Sequence, residues 1–341
     1  MVNNTIEISV KGKWVTVPAV NVNGRTVVVT GRWIRIAAIH DEAWLETEVE
    51  DPEECVTKLR AQNSGIVRSD IFTFTQKLPH TAPRYRYPME WDSVAAIRLN
   101  SFTEWWEGVP QETRKNVRRA QKRGLIVRVH GFDEELLNGI AEVNNDSPMR
   151  QGVPNAHYGK TLEQVKKDEE SFLERSDFIC AYLESEMVGF LKVVYRENIA
   201  AILNLASKPS RHDSRPSNAL IAKAVELCAA KGMSHLTYGM FNYGNKRESP
   251  LRQFKVRNGF EEVLVPRYYI PLTIRGRLCT AMRLQRGLLG ILPARVIALG
   301  IGVRSKWYDF RQSMGRCSSM VERSNRNRQM GCSNPPAGSN T

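Results

Sequence analysis

The sequence LRQFKVRNGFEEV, residues 251–263, decides how this chain is interpreted. The run before Gly259 is helix-like, and the glycine is a typical helix stop signal. Phe260 then leads into a predicted strand, which turns at Pro266 and returns through residues 267–271 as a hairpin. The meaning of this helix, Gly-Phe and hairpin unit depends on the segments that precede it.

Those segments form a regular series of strands and helices. Three consecutive strands separated by tight turns predict an antiparallel meander over residues 177–208. The clearest helix of the chain follows, with Pro216 near its start and Gly232 at its end. A further strand, SHLTYGMF at residues 234–241, crosses over that helix and precedes the opening stretch.

Composition places the chain among globular proteins. Of its 341 residues, 42% are hydrophobic and 25% charged, and the length suffices for two ordinary domains. No apolar run is long enough to cross a bilayer, and the first residues lack the pattern of a secretory signal. The six cysteines are scattered without CxxC spacing, which predicts reduced thiols in a cytoplasmic protein and neither a disulfide framework nor a zinc site.

Positive charge is concentrated in two regions of the chain. The net charge is +13, and residues 114–128, RKNVRRAQKRGLIVR, carry seven positive charges and no acid. Residues 275–316 are nearly as one-sided. Such clusters suit phosphates, nucleic acid or an anionic membrane surface, and a solvated helix face is the alternative. The first region lacks interleaved aromatic residues, which argues against a sequence-reading nucleic-acid module.

The order of the segments, together with three of their sequences, resembles the GNAT acyltransferase fold and, within it, the Fem-type branch of peptidoglycan aminoacyltransferases. The three sequences are RKNVRRAQKRGLIVRV at 114–129, the helix at 216–232 and QFKVRNGF at 253–260. The resemblance covers residues 95–272 and implies an α+β (α/β) fold with a mixed, mostly antiparallel sheet flanked by helices. It also allows a tandem of a degenerate and an intact GNAT half-domain.

On this basis we predict four parts of the chain. Residues 1–95 are a strand-rich, degenerate GNAT-like half, and residues 96–272 are the GNAT-like acyltransferase domain. Residues 273–315 are basic amphipathic helices, which suit a peripheral membrane contact or, as the favoured alternative, a helical cover over the sheet. Residues 316–341 are polar, rich in Asn and Ser, and predicted to be disordered.

The resemblance also gives the opening stretch a meaning. In such a fold the helix ends at Gly259 because the chain adopts a positive φ and reverses into the last hairpin. Phe260 would anchor that hairpin in the core. Lys255 would project toward the acyl donor, and a solvent-exposed helix lysine is the alternative.

The resemblance places the donor's phosphates at the N-terminus of the helix at 216–232, where backbone amides and the helix dipole favour anions. The family's Arg/Gln-x-x-Gly-x-Gly/Ala pattern corresponds here to RHDSRPSN, residues 211–218, which lacks both glycines. This weakens acetyl-CoA as the donor without excluding it, since Fem-type enzymes also lack the glycines and use aminoacyl-tRNA. An exposed turn with polar caps is the alternative. The candidate donor-binding residues are Arg211, His212, Arg215, Asn218 and Lys255.

The polar loop SPMRQGVPNAHYGK, residues 147–160, is the predicted acceptor side, because loops between helices commonly carry binding residues. Its cations suit an anionic acceptor, and its histidine could act as a base or, alternatively, as a structural hydrogen-bonding group. The candidates are Arg150, Gln151 and Lys160 for substrate binding and His157 and Tyr158 for catalysis.

Three more candidates lie near strand ends. Tyr243 lies where GNAT enzymes often place a tyrosine that protonates the leaving group. Lys246 adds a hydrogen-bond donor for the substrate, and Asn204 could polarise a carbonyl. An ordinary core or loop tyrosine and an asparagine that satisfies backbone groups are the alternatives.

We therefore predict an acyltransferase that moves an acyl or aminoacyl group to an amine, in cell-envelope or polysaccharide metabolism. Acyl-CoA or aminoacyl-tRNA would be the co-substrate, without a permanently bound cofactor or metal, and catalysis would rest on positioning and oxyanion stabilisation. The alternatives are a catalytically silent GNAT-fold protein that binds an anionic ligand or partner, and a nucleic-acid-binding protein. The expected location is cytoplasmic, with a peripheral membrane contact through residues 273–310 left open.

Overall fold

A computed structural model of the chain describes most residues up to position 284. The described ranges are 5–10, 12–44, 48–62, 64–150, 153–242 and 249–284. Three of the candidate site residues, Gln151, Tyr243 and Lys246, lie outside these ranges, as do the predicted tail and residues 285–315 of the predicted C-terminal helices. The predictions for them stay as they are.

The described residues form fourteen strands and eight α-helices. The strands are β1 (Thr5–Val10), β2 (Lys13–Val22), β3 (Arg25–Thr30), β4 (Ile36–Ile39), β5 (Ile71–Thr75), β6 (Met89–Arg98), β7 (Leu125–His130), β8 (Met149–Arg150), β9 (Val153–Pro154), β10 (Ser176–Leu183), β11 (Glu186–Arg196), β12 (Ile199–Ser207), β13 (His235–Met240) and β14 (Glu261–Pro271). The helices are α1 (Pro52–Ala61), α2 (Phe102–Gly108), α3 (Gln111–Lys122), α4 (Glu134–Asn145), α5 (Leu162–Glu169), α6 (Pro216–Ala230), α7 (Pro250–Arg257) and α8 (Ile274–Ala281).

Twelve of the strands in the described part of the chain share one sheet. Its order is β1-β2-β3-β4-β5-β14-β6-β13-β12-β11-β10-β7, and β8 and β9 pair separately. Neighbouring strands run antiparallel except at β4–β5 and β12–β13, which are parallel. The predicted mixed, mostly antiparallel sheet flanked by helices is therefore confirmed.

Helices cover both faces of the second half of this sheet. Leu191 of β11 packs with residues of α2, α3 and α6, whereas its neighbour Phe190 packs with residues of α4 and α5. Successive side chains of a strand point to opposite faces, so the two helix groups lie on opposite sides. Burial of each large apolar side chain contributes about 1.5–3 kcal/mol to stability, which explains why β10, β11 and β12 are almost wholly apolar.

The first half of the sheet has a separate core. Phe72 and Phe74 of β5 pack with Leu59 of α1 and with Val27 of β3. Tyr268 of β14 belongs to the same cluster, although it lies almost two hundred residues further along the chain. The C-terminal strand therefore completes the core of the N-terminal half.

The predicted hairpin at Pro266 is wrong, because β14 runs straight through the proline. The strand pairs with β6 from Glu261 to Tyr268 and with β5 from Arg267 to Pro271. The carbonyl oxygen of Pro266 accepts a hydrogen bond from the N–H of Gln76 at 2.9 Å, so the side on which proline lacks an N–H faces the end of β5. A proline is tolerated in a strand where its missing N–H is not needed for pairing. Pairing with β5 starts only at the next residue, Arg267, so the missing N–H of Pro266 costs no hydrogen bond there.

The end of α7 is as predicted. Gly259 has φ +82° and Phe260 is buried, so the glycine supplies the left-handed conformation and the phenylalanine enters the core. The indole Nε1 of Trp105 donates to the carbonyl oxygen of Asn258 at 3.1 Å. Helix α2 thus packs against the turn that connects α7 to β14.

Candidate functional site

The two parallel strands at the centre of the second half separate along their length. β12 and β13 pair over only three residues, from Ile199 opposite His235 to Ala201 opposite Thr237. Beyond this point β12 continues to Ser207 without β13 as a partner, and a cleft of about 610 Å³ opens beside its C-terminal end. The cleft is therefore built by the sheet itself and closed by α3, α6 and α7.

Among the charged side chains that line the cleft, positive ones predominate. Its walls carry Arg150, Arg215 and Arg257, together with the imidazole of His212, whereas Glu112 is the carboxylate among the described lining residues. Helix α6 begins at this cleft without a side-chain cap. Uncapped N–H groups and the helix dipole add a partial positive charge there, so the cleft is suited to an anion.

Arg215 occupies the position just before α6 in an unusual conformation. Its φ is +56° and its ψ +41°, a left-handed geometry that a glycine would adopt without steric cost. Its guanidinium Nε is buried and has no hydrogen-bond partner among the described residues. The side chain lines the cleft and is available to an incoming anion.

Arg150, the last residue of β8, reaches the cleft from the predicted acceptor loop. One Nη of its guanidinium donates to the carbonyl oxygen of Val143 at 2.8 Å, while its Nε has no partner among the described residues. Burial lowers the pKa of Arg150, partly offset by the negative charge of Asp146. One nitrogen of the guanidinium is thus held by the backbone, and another is available to a ligand.

The turn at Pro209–Ser214 leads into the N-terminus of α6, where the resemblance places the donor's phosphates, and its polar groups are bound by the protein's own carboxylates. Asp146 accepts from the N–H of Ser210 at 2.9 Å and from its hydroxyl at 2.6 Å. Arg211 donates twice to one oxygen of Glu186, at 3.1 and 2.7 Å. Two groups that could hold a pyrophosphate are therefore already bound to acids.

Lys255 is not a solvent-exposed helix lysine, so that alternative is wrong. Its side chain is 0% exposed, and Nζ donates to the carbonyl oxygens of Tyr238 and Met240 at 2.7 and 2.6 Å. Nζ also lies 4.6 Å from the ring centre of Tyr238, which lines the cleft. Burial lowers the pKa of Lys255 to about 8. Its part in donor binding stays a prediction.

A second group of polar residues surrounds Asp168 at the end of α5. This carboxylate accepts from the indole of Trp14 at 3.1 Å and the ammonium of Lys160 at 2.5 Å, and His157 Nδ1 lies 3.3 Å away. Burial acts to raise the pKa of Asp168, but the bonds from His157 and Lys160 outweigh it and hold the pKa below its usual value. The strand β2, through Trp14, thus helps to fix the predicted catalytic loop.

The next residue, Glu169, belongs to a buried polar cluster beneath β12. One of its oxygens accepts from the amide of Asn204 at 2.7 Å, and the other has no partner among the described residues. Burial raises the pKa of Glu169, against the opposing charge of Lys192. Asn204 is thus held by Glu169, immediately before Leu205 in the cleft wall.

The structure brings together only some of the candidate residues. Arg150, His212, Arg215 and Asn218 line the cleft, with the Asn218 amide bound to the side chain of Asn258 at 3.0 Å. The remaining described candidates do not line it: they are His157, Tyr158, Lys160, Asn204, Arg211 and Lys255. Tyr158 is largely exposed. No role of these residues is tested by their placement, and each stays a prediction.

Sequence reasoning missed four residues of this region, Arg257, Asp168, Glu169 and Lys192. A signal existed for Arg257, since it lies one turn of α7 after Gln253, which also lines the cleft. The adjacent acids at the end of α5 gave no signal, because a helix terminus rich in charge is normally solvated. Lys192 was hidden inside an apolar strand.

The buried lysines predict a pH dependence of stability. Burial lowers the pKa of Lys192 and Lys255 to about 8 each, and that of Lys77 to about 7. In the unfolded chain these groups keep their protons up to about pH 10.4. At a pH between the lowered pKa of the folded state and the pKa of the unfolded state, the unfolded chain binds more protons than the folded one, so stability rises with pH. From pH 7.0 to 8.5 we expect the free energy of unfolding to increase by about 1–3 kcal/mol.

Urea unfolding at the two pH values in chloride buffer measures this gain. The upper limit of pH 8.5 matters because burial raises the pKa of Cys180 and Cys228 to about 12, which opposes the gain once unfolded thiols ionise. Lys192→Met should reduce the gain, whereas the exposed Lys115→Met should leave it unchanged. A stability that is flat or falls over this range contradicts the prediction.

Comparisons with known proteins concern the fold. No protein-family model matches the chain, and no curated protein sequence matches it. Among solved structures, the C-terminal domain of an Agrobacterium fabrum protein described as a lysylphosphatidylglycerol synthetase is 14% identical, with a TM-score of 0.51 over 79% of this chain and 89% of that chain. L-PGS from Bacillus licheniformis is 13% identical (TM-score 0.49, 79% and 88% covered), and FemX is 11% identical (TM-score 0.47, 77% and 89% covered).

The chain has the GNAT-type fold that the resemblance implied. The meander β10–β12, the helix α6 and the parallel strand β13 follow in the predicted order, and the sheet continues through β6 and β14 into a second, N-terminal set of strands. Among the residues described, no helix is both long and apolar enough to cross a membrane.

Proposed function

We propose that the chain transfers an acyl or aminoacyl group from a phosphate-bearing donor to an amine. One observation carries this proposal: the strands β12 and β13 separate into a cleft at the uncapped N-terminus of α6, lined by Arg150, Arg215 and Arg257. The helix terminus and the arginines suit phosphate. The separated strands leave room for an extended acyl carrier between them.

The chemistry requires stabilisation of an oxyanion as the amine attacks the carbonyl carbon. Peptide groups of β12 beyond Ala201 and of β13 beyond Thr237 no longer pair with each other, so N–H groups on these edges can donate to the oxyanion. The leaving oxygen or sulfur takes up a proton. Tyr238, in the cleft wall above Lys255, is the described residue best placed to supply it.

Two observations favour aminoacyl-tRNA over acyl-CoA as the donor. Asp146 and Glu186 already bind the groups at Ser210 and Arg211 that a pyrophosphate would need. Helix α3, whose first turns line the cleft, also presents an exposed row of cations, which suits a polyanion much larger than CoA. These cations, the basic face of α3, are Lys115, Arg118, Arg119, Lys122 and Arg123.

The amine acceptor, in cell-envelope or polysaccharide metabolism, follows from the Fem-type resemblance. His157 does not line the cleft, so its proposed role as the base applies to an acceptor whose amine is held at the loop of His157 itself, where the Asp168 carboxylate orients the imidazole. The partly buried Asp168 also forms an ion pair with Lys160. A peripheral membrane contact through residues 273–310 belongs to the same proposal.

Donor binding by the purified chain tests the proposal. Total charged tRNA, the same tRNA after deacylation, acetyl-CoA and a longer acyl-CoA are compared by filter binding and calorimetry. We expect charged tRNA to bind, and Arg215→Met to weaken this binding about 10–100-fold through the loss of charge-assisted bonds to phosphate. Arg128→Met, the same change on the edge strand β7, should have little effect.

The other outcomes assign the chain differently. Binding of an acyl-CoA that Arg215→Met abolishes makes the chain an acyl-CoA enzyme, despite the acids at the turn. Binding of every RNA equally, with a steep salt dependence, indicates a nucleic-acid-binding protein. If no donor binds, the catalytically silent alternative holds, and the carboxylates of Asp146 and Glu186 explain it.

A further inference from the structure

A second cavity lies at the opposite end of β12 from the cleft. It has a volume of about 200 Å³, and its walls come from residues 77–80 and Arg84 of the N-terminal half and from residues 196–199 at the turn between β11 and β12. The cleft begins at Leu205 of the same strand. At about 3.3 Å per residue, roughly 20 Å of strand separates the two.

Arg196, the last residue of β11, lines this cavity with an unpaired charge. The residue is only 7% exposed, and its Nε is buried without a hydrogen-bond partner. Among the described residues, its guanidinium makes neither a hydrogen bond nor an ion pair. A buried cation without a partner costs several kcal/mol, so proteins seldom keep one unless something else binds it.

The charges nearest to Arg196 increase this cost. Burial, and then the charge of Arg175, lower the pKa of Arg196 to about 10. Burial, and then the charge of Arg196, lower the pKa of Lys77 to about 7. The charges of Glu42 and Glu48 act to raise the pKa of Lys77, but they do not offset burial and the charge of Arg196. The two cations, from different halves of the sheet, therefore disfavour each other's charged form, and an anion between them would favour both.

The acids of the cavity do not neutralise Arg196. Glu48 forms an ion pair with Arg84 and accepts the N–H of Lys77 at 2.9 Å, so its oxygens are engaged. Glu50 and Glu197 are exposed at the rim. Of these acids, Glu197 is the one whose charge acts to raise the pKa of Arg196, and it does not offset burial.

We propose that this cavity binds a phosphate group, held by the guanidinium of Arg196 and the ammonium of Lys77. The planar fork of an arginine matches two oxygens of a phosphate, and a lysine adds a point charge. The volume admits a free phosphate or the terminal phosphate of a small organic molecule, but not a polynucleotide. Bound there, the phosphate joins the two halves of the sheet far from the cleft.

Thermal unfolding of the full chain with orthophosphate tests this site. Sodium chloride of equal ionic strength serves as the reference, at pH 7.5. At a phosphate concentration about tenfold above Kd we expect the Tm to rise by about 2–3 °C relative to chloride. A small sugar phosphate and its unphosphorylated sugar are added in parallel. If the site prefers a terminal phosphate, the sugar phosphate raises the Tm more than orthophosphate does at the same concentration; if it prefers the free ion, orthophosphate raises it more.

Four variants test whether the phosphate binds in this cavity. Arg196→Met should abolish the shift, and in chloride alone it should raise the Tm, because it removes an unpaired buried charge. Arg128→Met, on the edge strand β7, should keep the shift. In an Arg215→Met background, where the cleft has lost its own phosphate-binding arginine, the shift of the second cavity should remain and Arg196→Met should still remove it. Should Arg196→Met fail to fold, Lys77→Met is expected to reduce the shift at least twofold at the same phosphate concentration.

The contrary results are equally definite. An equal Tm in phosphate and in chloride overturns the proposal. So does a shift that Arg196→Met or Lys77→Met keeps, or one that only Arg215→Met removes, since the phosphate then binds elsewhere. Because the test uses no donor and no transfer assay, its failure says nothing against the proposed transferase activity, and failure of that activity leaves this test intact.

Discussion

Gly259→Ala is expected to destabilise the fold by about 2–4 kcal/mol. At φ +82° an alanine pays about 1 kcal/mol or more for the left-handed conformation. Its Cβ would also lie 2.8 Å from Nε1 of Trp105 and 3.0 Å from a methyl carbon of Val109. The indole cannot retreat without losing its bond to the carbonyl oxygen of Asn258, so overpacking adds about 1–3 kcal/mol.

Gly124→Ala is the matched control for this prediction. Gly124 ends α3 with nearly the same φ, +80°, but a Cβ there meets no atom within 4 Å. It should therefore cost only the conformational part, about 1 kcal/mol. Urea unfolding of both variants measures the difference. Equal costs at the two positions would mean that the contact with Trp105 contributes nothing.

Tyr268→Ala is expected to cost about 3–5 kcal/mol, as for other large aromatic residues removed from a core. Tyr268 is fully buried, and its ring centre lies 5.1 Å from that of Phe74 and 5.3 Å from that of Tyr85. Its hydroxyl accepts from the N–H of Arg84 at 2.9 Å and donates to Gln76 at 3.0 Å. The side chain therefore fixes the N-terminal half onto β14.

Tyr268→Phe separates the ring from the hydroxyl. It keeps the apolar packing and removes the three hydrogen bonds of the hydroxyl, which include a longer one from the N–H of Tyr85 at 3.4 Å, so we expect a loss of about 1–2 kcal/mol. Denaturant unfolding followed by tryptophan fluorescence and by circular dichroism gives both values. A Phe variant as unstable as the Ala variant would show that the polar network, rather than ring burial, holds β14 in place.

The candidate site was predictable only in part. The basic residues before α6 could be found because a helix start with Arg215 and Pro216 is visible in sequence. The cleft wall contributed by α7 could not, since the approach of Arg257 to Arg215 depends on how far β12 and β13 diverge. The bond of Arg211 to Glu186 was equally hidden, because nothing local indicates which surface arginine meets an acid twenty-five residues earlier.

The sequence by itself determined the local elements and their order. Apolar runs specified β10 to β12, helix signals specified α6, and Gly259 specified the end of α7, since each of these signals acts within a few residues of chain. The tertiary structure alone decided the partners. Pro266 looked like a turn because local rules favour one, but pairing with β5 on one side and with β6 on the other keeps β14 extended through the proline. Which groups end buried, as Lys255 and Arg196 do, is likewise settled only when distant segments meet, because desolvation depends on what covers a side chain.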